Sequence, residues 1–129
     1  MSHFSTIKTK LKDRKALLQA LMLMGHPVLV DETLKNPSDH NHEEVEVNIS
    51  IGTDIGFRLN EETGTYELVT DLQTWNQDVP VERFLDQVAQ QYAIESIAAS
   101  ARDEEFEVVE QRVDNEDQSV IMVLEKWTT

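Results

Sequence analysis

The chain has 129 residues, of which 40% are hydrophobic and 28% are charged, and it contains no cysteine. This length suits one globular domain, residues 1–129, with a substantial core. The absence of cysteine excludes disulfides, thiolate metal sites, iron–sulfur clusters and cysteine nucleophiles. The net charge of −14 favours solubility and disfavours non-specific contact with nucleic acid or anionic membranes.

Charge is distributed unevenly along the chain. Residues 1–15 carry five cations and one acid, a net charge of +4, whereas the remaining residues carry six cations and 24 acids, a net charge of −18. The five cations are Lys8, Lys10, Lys12, Arg14 and Lys15. In a strand, Lys8 and Lys10 would share one face, and Ile7 and Leu11 the other. The pattern predicts either a basic docking ridge or a local counterweight to nearby carboxylates.

The first elements are a strand and a helix. Residues 4–11 predict a strand that is rich in Thr and Ile. Asp13 is a suitable N-cap for a helix, and Gly25 can end that helix in the left-handed conformation. The buried stripe of the helix would consist of Leu17, Leu18, Leu21 and Met22. After a short apolar run at residues 28–30, the polar residues 31–44 predict an exposed loop.

The middle of the chain predicts a three-stranded meander. Residues 45–51 alternate apolar and polar side chains, and residues 55–59 repeat the alternation. Residues 60–64 predict a hairpin loop in which Gly64 can adopt a positive φ. Residues 66–68 then belong to the returning strand.

The last third predicts a helix and a hairpin. Residues 71–79 connect to a helix that Pro80 opens and that ends near Arg102. Residues 106–113 and 120–127 predict a closing hairpin around residues 114–117. The element order is therefore β-α-β-β-β-β-α-β-β. We predict an α+β fold in which two helices pack on one face of a mainly antiparallel sheet.

Several short blocks of the sequence resemble a known family. The blocks are residues 1–9 (MSHFSTIKT), 54–58 (DIGFR) and 66–71 (YELVTD), with Phe84-Leu85, Tyr92-Ala93 and Trp127. Through them the chain is similar, nearly end to end, to the hypothetical chloroplast reading frame thirty-five family of cyanobacteria and algal plastids. The resemblance implies a compact domain in a photosynthetic organism. The family has no established activity, so the resemblance implies no catalytic residue.

The apolar content of the chain bears on its location. The N-terminus lacks an apolar signal region, and the longest apolar stretch, residues 20–24, is too short to cross a bilayer. We therefore expect no membrane insertion. The expected location is the cytoplasm, or the plastid stroma if the protein is plastid-encoded.

His40 and His42 are the best metal candidates, because imidazole and neighbouring carboxylates are suitable ligands for a divalent ion. Their place in a polar loop equally fits solvated side chains, and a complete site would need further ligands from elsewhere. His3 fits a structural role, and His26 fits a cation near a helix end. Asp54 lies between two glycines, where either an Asx turn or a binding role would suit it.

Trp75 lies in the polar connector, where a large apolar ring is less expected than in a strand. It fits a plug at the open end of the sheet, or an anchor for a partner.

These features favour a small acidic accessory or interaction protein that docks an unknown protein partner. The partner-binding candidates are Lys8, Lys10, Lys12, Arg14, Lys15 and Trp75. One alternative is a metal- or small-molecule-dependent enzyme that uses the His40/His42 loop or the carboxylates near Asp54, although no phosphate loop or nucleophile elbow is present. Another is nucleic-acid binding through the basic strand, which the net charge of −18 elsewhere disfavours. No cofactor is predicted, and the oligomeric state stays open.

Overall fold

The structure is a computed structural model that describes residues 3–36, 43–103, 106–113 and 120–126. Within these ranges it contains seven strands and two helices, in the predicted order β-α-β-β-β-β-α-β-β. The elements are β1 (Ser5–Lys8), α1 (Arg14–Leu23), β2 (Leu29–Lys35), β3 (Glu44–Ser50), β4 (Ile55–Asn60), β5 (Thr65–Thr70), α2 (Val81–Asp103), β6 (Phe106–Val113) and β7 (Val120–Lys126). The predicted α+β class is confirmed.

The chain divides into two compact units. The first unit comprises Met1–Lys12 and Gly25–Val81, and the second comprises Asp13–Met24 and Glu82–Thr129. The first unit contains β1 to β5, and the second contains α1, nearly all of α2, and β6 and β7. That residues 1–129 form a single domain, with both helices on one face of the sheet, stays a prediction.

The first unit is a five-stranded sheet in the order β1-β5-β4-β3-β2, and all of its neighbouring strands are antiparallel. The predicted meander β3-β4-β5 is confirmed. Ile49, Phe57 and Leu68 face one another across its three strands, and all three side chains are fully buried. Burial of such a row fixes the register, because a slip by one residue would expose it.

The hairpin between β4 and β5 has the predicted geometry. Gly64 adopts a φ of 71°, which suits a residue without a Cβ. The Asn60 side chain closes the turn, since its Oδ1 accepts a hydrogen bond from the Glu62 backbone N–H at 3.0 Å.

The predicted loop at residues 31–44 is wrong in its first part. β2 continues to Lys35 and pairs Leu34 with Val45 of β3. Leu34 is fully buried, whereas residues 29–33 are exposed. An edge strand with a single inward apolar residue lacks the alternation of a half-buried strand, and its sequence therefore resembles a loop. Residues 37–42 lie outside the described residues.

The part of the β2–β3 pair that contains Leu34 and Val47 packs against Val69 of β5. A small buried cluster joins these strands: Leu34, Val47 and Val69, with Phe4 and Val45 packed against it. Gly56 in β4 permits this approach, because a Cβ there would lie 2.8 Å from both the Ile49 carbonyl oxygen and Val47 Cγ2. The sheet therefore has a second, smaller core that no alternation pattern predicts.

Helix α1 in the second unit begins and ends as predicted. Asp13 Oδ1 accepts hydrogen bonds from the backbone N–H of Lys15 at 2.9 Å and of Ala16 at 3.3 Å. Gly25, just beyond the helix, has a φ of 87°. The Asp13 backbone N–H also donates to the Tyr92 hydroxyl at 2.8 Å, which ties the start of α1 to α2.

The predicted buried stripe of α1 is partly wrong. The buried residues are Ala16, Leu17, Ala20 and Leu21. Met22 is 49% exposed, and Leu18 is only half-buried. Each buried leucine of α1 directly follows a buried alanine, Ala16 before Leu17 and Ala20 before Leu21. The small alanine side chains allow close packing on that side of the helix.

The predicted C-terminal elements are present. Helix α2 begins directly after Pro80 and ends at Asp103, one residue beyond the predicted end. β6 and β7 pair antiparallel, from Phe106 opposite Lys126 to Val113 opposite Val120. The predicted turn at residues 114–117 and Trp127 lie outside the described residues.

Candidate functional site

Three of the predicted partner-binding cations lie in the first unit and are exposed: Lys8, Lys10 and Lys12. Lys8 ends β1, an edge strand of the sheet. The chain after Lys8 stays close to β5, because Tyr66 donates its backbone N–H to the Leu11 carbonyl at 2.8 Å and accepts a hydrogen bond from the Thr9 hydroxyl. Leu11 is buried, so the lysines and Leu11 alternate between solvent and core.

The carboxylate nearest to Lys8 in the sheet register is engaged with other residues. Glu67 is the Cα partner of both Lys8 on β1 and Arg58 on β4. Its Oε2 lies 3.6 Å from Arg58 Nη2, and its Oε1 accepts a hydrogen bond from Asn60 Nδ2 at 2.7 Å. Among the described residues, neither Lys8 nor Lys10 forms an ion pair with an acid.

The other two predicted cations, Arg14 and Lys15, belong to the second unit. Both occupy the first turn of α1 and are exposed. Cations are unfavourable at a helix N-terminus, and the Asp13 cap offsets this by placing a carboxylate at the same end.

Trp75 is half-buried in the connector between β5 and α2. Its Nε1 donates a hydrogen bond to the Val79 carbonyl at 2.8 Å. This hydrogen bond links Trp75 to Val79 within the connector. Because the ring is half-buried, only part of its surface is exposed to a partner.

The histidines and Asp54 give a mixed outcome. His40 and His42 lie outside the described residues, and the described residues contain no group of three or more His, Asp or Glu side chains that could hold a metal ion. His3 is exposed. Burial lowers the pKa of His26 below its ordinary value of 6.5 and so disfavours the cationic form, and its role as a cation near the end of α1 stays a prediction. Asp54 accepts a hydrogen bond from the Thr74 hydroxyl at 3.1 Å.

A buried polar pair, which the sequence did not indicate, joins β2 to the end of β5. Asn36 Nδ2 donates to Asp71 Oδ2 at 2.8 Å, and Asp71 is only 1% exposed. Asp71 Oδ1 also accepts from the Gln73 backbone N–H at 2.9 Å, which is the geometry of an Asx turn. The sequence offered one signal for this pair, namely that Asn36 directly follows β2, the strand whose composition resembles a loop.

A second feature missed by the sequence is a cleft in the first unit. It has a volume of about 500 Å³ and lies over β2, β3 and β4. Its lining includes the carboxylates of Asp31, Glu32, Glu46 and Glu61, and one cation, Arg58. The cleft is therefore predominantly acidic, in contrast to the basic segment at β1.

Comparison with known proteins agrees with the predicted resemblance. Residues 20–123 match a family model described as "Protein of unknown function (DUF1257)". Proteins named "Uncharacterized protein ycf35" are 32% identical in Pyropia yezoensis, 37% in Guillardia theta and 34% in Cyanophora paradoxa. Each of these matches covers 98% of this chain and 98% of the relative. No solved structure matches the chain.

The described residues thus define an α+β protein with two helices and a five-stranded antiparallel sheet. The chain belongs to the ycf35 family, whose domain of unknown function spans most of its length. Among the described helices, none combines the length and the apolar character that a membrane span requires.

Proposed function

We propose that the protein is a small acidic accessory protein that docks an acidic surface of a partner protein through Lys8, Lys10 and Lys12, with Arg14 and Lys15 as further candidates. The observation that supports this most directly is the state of Lys8 and Lys10. Both are exposed, and neither forms an ion pair with an acid of the described residues, although 25 acids are present in the chain. Exposed charges of one sign steer and orient a partner of opposite charge.

The geometry supports a rigid presentation of these lysines. β1 pairs with β5 over four residues, and Tyr66 and Leu11 extend the attachment beyond the strand. Because the backbone is held, little conformational entropy of the main chain would be lost on binding. A flexible basic tail would lack this advantage.

An acidic protein surface suits this segment better than a nucleic acid does. A nucleic-acid duplex carries one negative charge per about 1.7 Å along its whole length, so the net charge of −18 on the remaining chain repels it more strongly than it repels a local acidic patch of a protein. The compartment that we propose is the plastid stroma or the cytoplasm.

The test is affinity capture from lysate of a photosynthetic cell, with and without nuclease treatment, followed by quantitative mass spectrometry. The variant Lys8→Glu/Lys10→Glu should lose the captured protein, and moderate salt should elute it from the wild type. Lys35→Glu/Arg83→Glu is the matched control, since both of its residues are exposed and it changes the charge equally. Equal recovery by the two double variants would contradict the proposal, as would capture that depends on nucleic acid.

A further inference from the structure

The acidic cleft exists because β3 separates from β4. The two strands are paired at Ile49 with Phe57 and at Ser50 with Gly56, and the register is not continued beyond these pairs. Beyond these pairs, the Leu59 backbone N–H donates to Asn48 Oδ1, a side-chain acceptor, at 2.7 Å. The strands therefore diverge, and the cleft lies in the opening between them.

The charge of the cleft is not neutralised by its own residues. Among the described residues that line the cleft, Arg58 is the one cation, and its Nη2 lies 3.6 Å from Oε2 of Glu67, which is outside the lining. Among the described residues, none of the four lining carboxylates, Asp31, Glu32, Glu46 and Glu61, forms an ion pair. The described residues contain no group of three or more His, Asp or Glu side chains that could hold a metal ion, so the four carboxylates do not form a metal site. An elongated organic cation fits such a dispersed set better than a metal does.

The strand that forms one wall of the cleft is an open sheet edge. β2 is the last strand of the sheet, and residues 29–33 are exposed along it. Leu29 is 58% exposed and Val30 is 46% exposed, directly before the cleft residues Asp31 and Glu32. A free edge with exposed apolar side chains is a template for the addition of another strand.

We propose that β2 and the cleft together bind an extended basic segment of a partner protein. The segment pairs through its main chain with β2 on either side of Asp31, whose φ of 53° interrupts the extended backbone. It covers Leu29 or Val30 with an apolar side chain, because neighbouring strand residues point to opposite faces. A lysine or arginine side chain of the segment enters the cleft, where it meets the four carboxylates. This surface is separate from the basic segment at β1 and needs no partner there.

Charge complementarity favours a basic partner over a second copy of this chain. Pairing of β2 with β2 of a second copy would bring two acidic clefts together, and the whole chain carries a net charge of −14, so this contact is repulsive. The same charge attracts a basic segment and raises its rate of association.

The test uses the full chain and a blocked octapeptide of alternating valine and lysine, with binding measured by calorimetry at low and moderate salt. Two further peptides separate the contributions: one with glutamate for lysine, and one with N-methylated backbone amides. We expect binding of the first peptide only, with salt-dependent affinity. Peptide-induced amide shifts should fall on residues 29–33, 46–48 and 58–61.

The variant Glu46→Gln/Glu61→Gln should weaken binding by about tenfold or more. Glu82→Gln/Asp86→Asn is the matched control, because it removes two exposed carboxylates of α2 and should leave binding unchanged. Equal weakening by the two variants, shifts outside the cleft, or no binding at about 1 mM peptide would overturn the proposal. Concentration-dependent self-association of the unliganded chain that Val30→Lys abolishes would also overturn it, in favour of a second copy as the occupant.

Discussion

Asn36 Nδ2 donates a hydrogen bond to Asp71 Oδ2 at 2.8 Å, although 35 positions separate the two residues in the chain. This contact fixes the far end of β2 against the end of β5. Asp71 is buried, and its second oxygen accepts the Gln73 backbone N–H, so one carboxylate satisfies donors from two segments.

The first prediction concerns this carboxylate. Asp71→Ala leaves the Asn36 amide and the Gln73 N–H without their acceptor in a buried place, and should lower the free energy of unfolding by about 3 kcal/mol. Urea unfolding followed by circular dichroism measures the loss. Asp54→Ala is the control, because Asp54 is half-buried and accepts only from the Thr74 hydroxyl among the bonds described above. It should cost less than about 1 kcal/mol, and equal losses would contradict the role assigned to Asp71.

The second prediction concerns the close approach at Gly56. A Cβ at this position meets the Ile49 carbonyl and Val47 at 2.8 Å, whereas a Cβ at Gly52 has nothing within 4 Å. Gly56→Ala should therefore destabilise the protein by about 1–3 kcal/mol, and Gly52→Ala should stay within about 0.5 kcal/mol of wild type. Thermal unfolding of both variants distinguishes them. If Gly56→Ala were neutral, the close contact between β4 and Val47 would be incorrect.

The third prediction tests whether residues 31–35 belong to strand β2 or to a solvated loop. Leu34 is fully buried, so Leu34→Ala should cost about 3 kcal/mol through lost burial and the cavity that remains. The neighbouring Thr33 is exposed, and Thr33→Ala should change the free energy of unfolding by less than about 0.5 kcal/mol. Chemical denaturation of the pair is decisive, because residues of a solvated loop would give two small and similar values.

The fourth prediction concerns the start of α1. Asp13→Ala removes the acceptor of the Lys15 and Ala16 N–H groups and should destabilise the protein by about 1 kcal/mol. Asp13→Asn keeps a side-chain oxygen at the cap and should lower the free energy of unfolding by only a few tenths of a kcal/mol. A similar loss in both variants would mean that the charge of Asp13, rather than its hydrogen bonds, stabilises the helix.

The fifth prediction concerns pH. Because burial lowers the pKa of His26, the folded state binds a proton at this site less readily than the unfolded state. The stabilising effect of a neutral His26 is therefore fully present above about pH 6.5 and decreases as the pH falls through the interval below that value. The difference in melting temperature between wild type and His26→Gln should shift against the wild type between pH 7 and pH 5.5. A pH-independent difference would contradict this assignment.

Much of the first unit could be predicted because its central strands are buried on one face. The alternation at residues 45–51 and 55–59 follows directly from that burial, and Gly64 identifies the turn that follows. Asp13 and Gly25 identified the ends of α1 for equally local reasons, a cap acceptor and a left-handed residue.

The rest depends on contacts between distant segments. Residues 31–35 form an edge strand with only Leu34 turned inward, so their composition is that of a loop. Asp31, which lines the cleft, has a φ of 53°, and the Leu59 backbone N–H donates to the Asn48 side chain beside it. Neither feature has a periodic signature in the sequence. The predicted strand at residues 4–11 ends at Lys8, so Lys10 lies beyond it. Whether Glu67 neutralised Lys8 depended on where Arg58 and Asn60 lay.

The position of β1 next to β5 has a consequence for how the protein acquires its structure. Pairs between β4 and β5 join residues 5 to 15 positions apart, whereas pairs between β1 and β5 join residues 59 to 65 apart. Closing the longer loop costs more entropy before any contact compensates for it, so the meander should assemble first and β1 should join last. During refolding, pulse-labelled amides of β4 and β5 should therefore become protected from exchange before those of β1, and the lysines should acquire their fixed arrangement only at the final step.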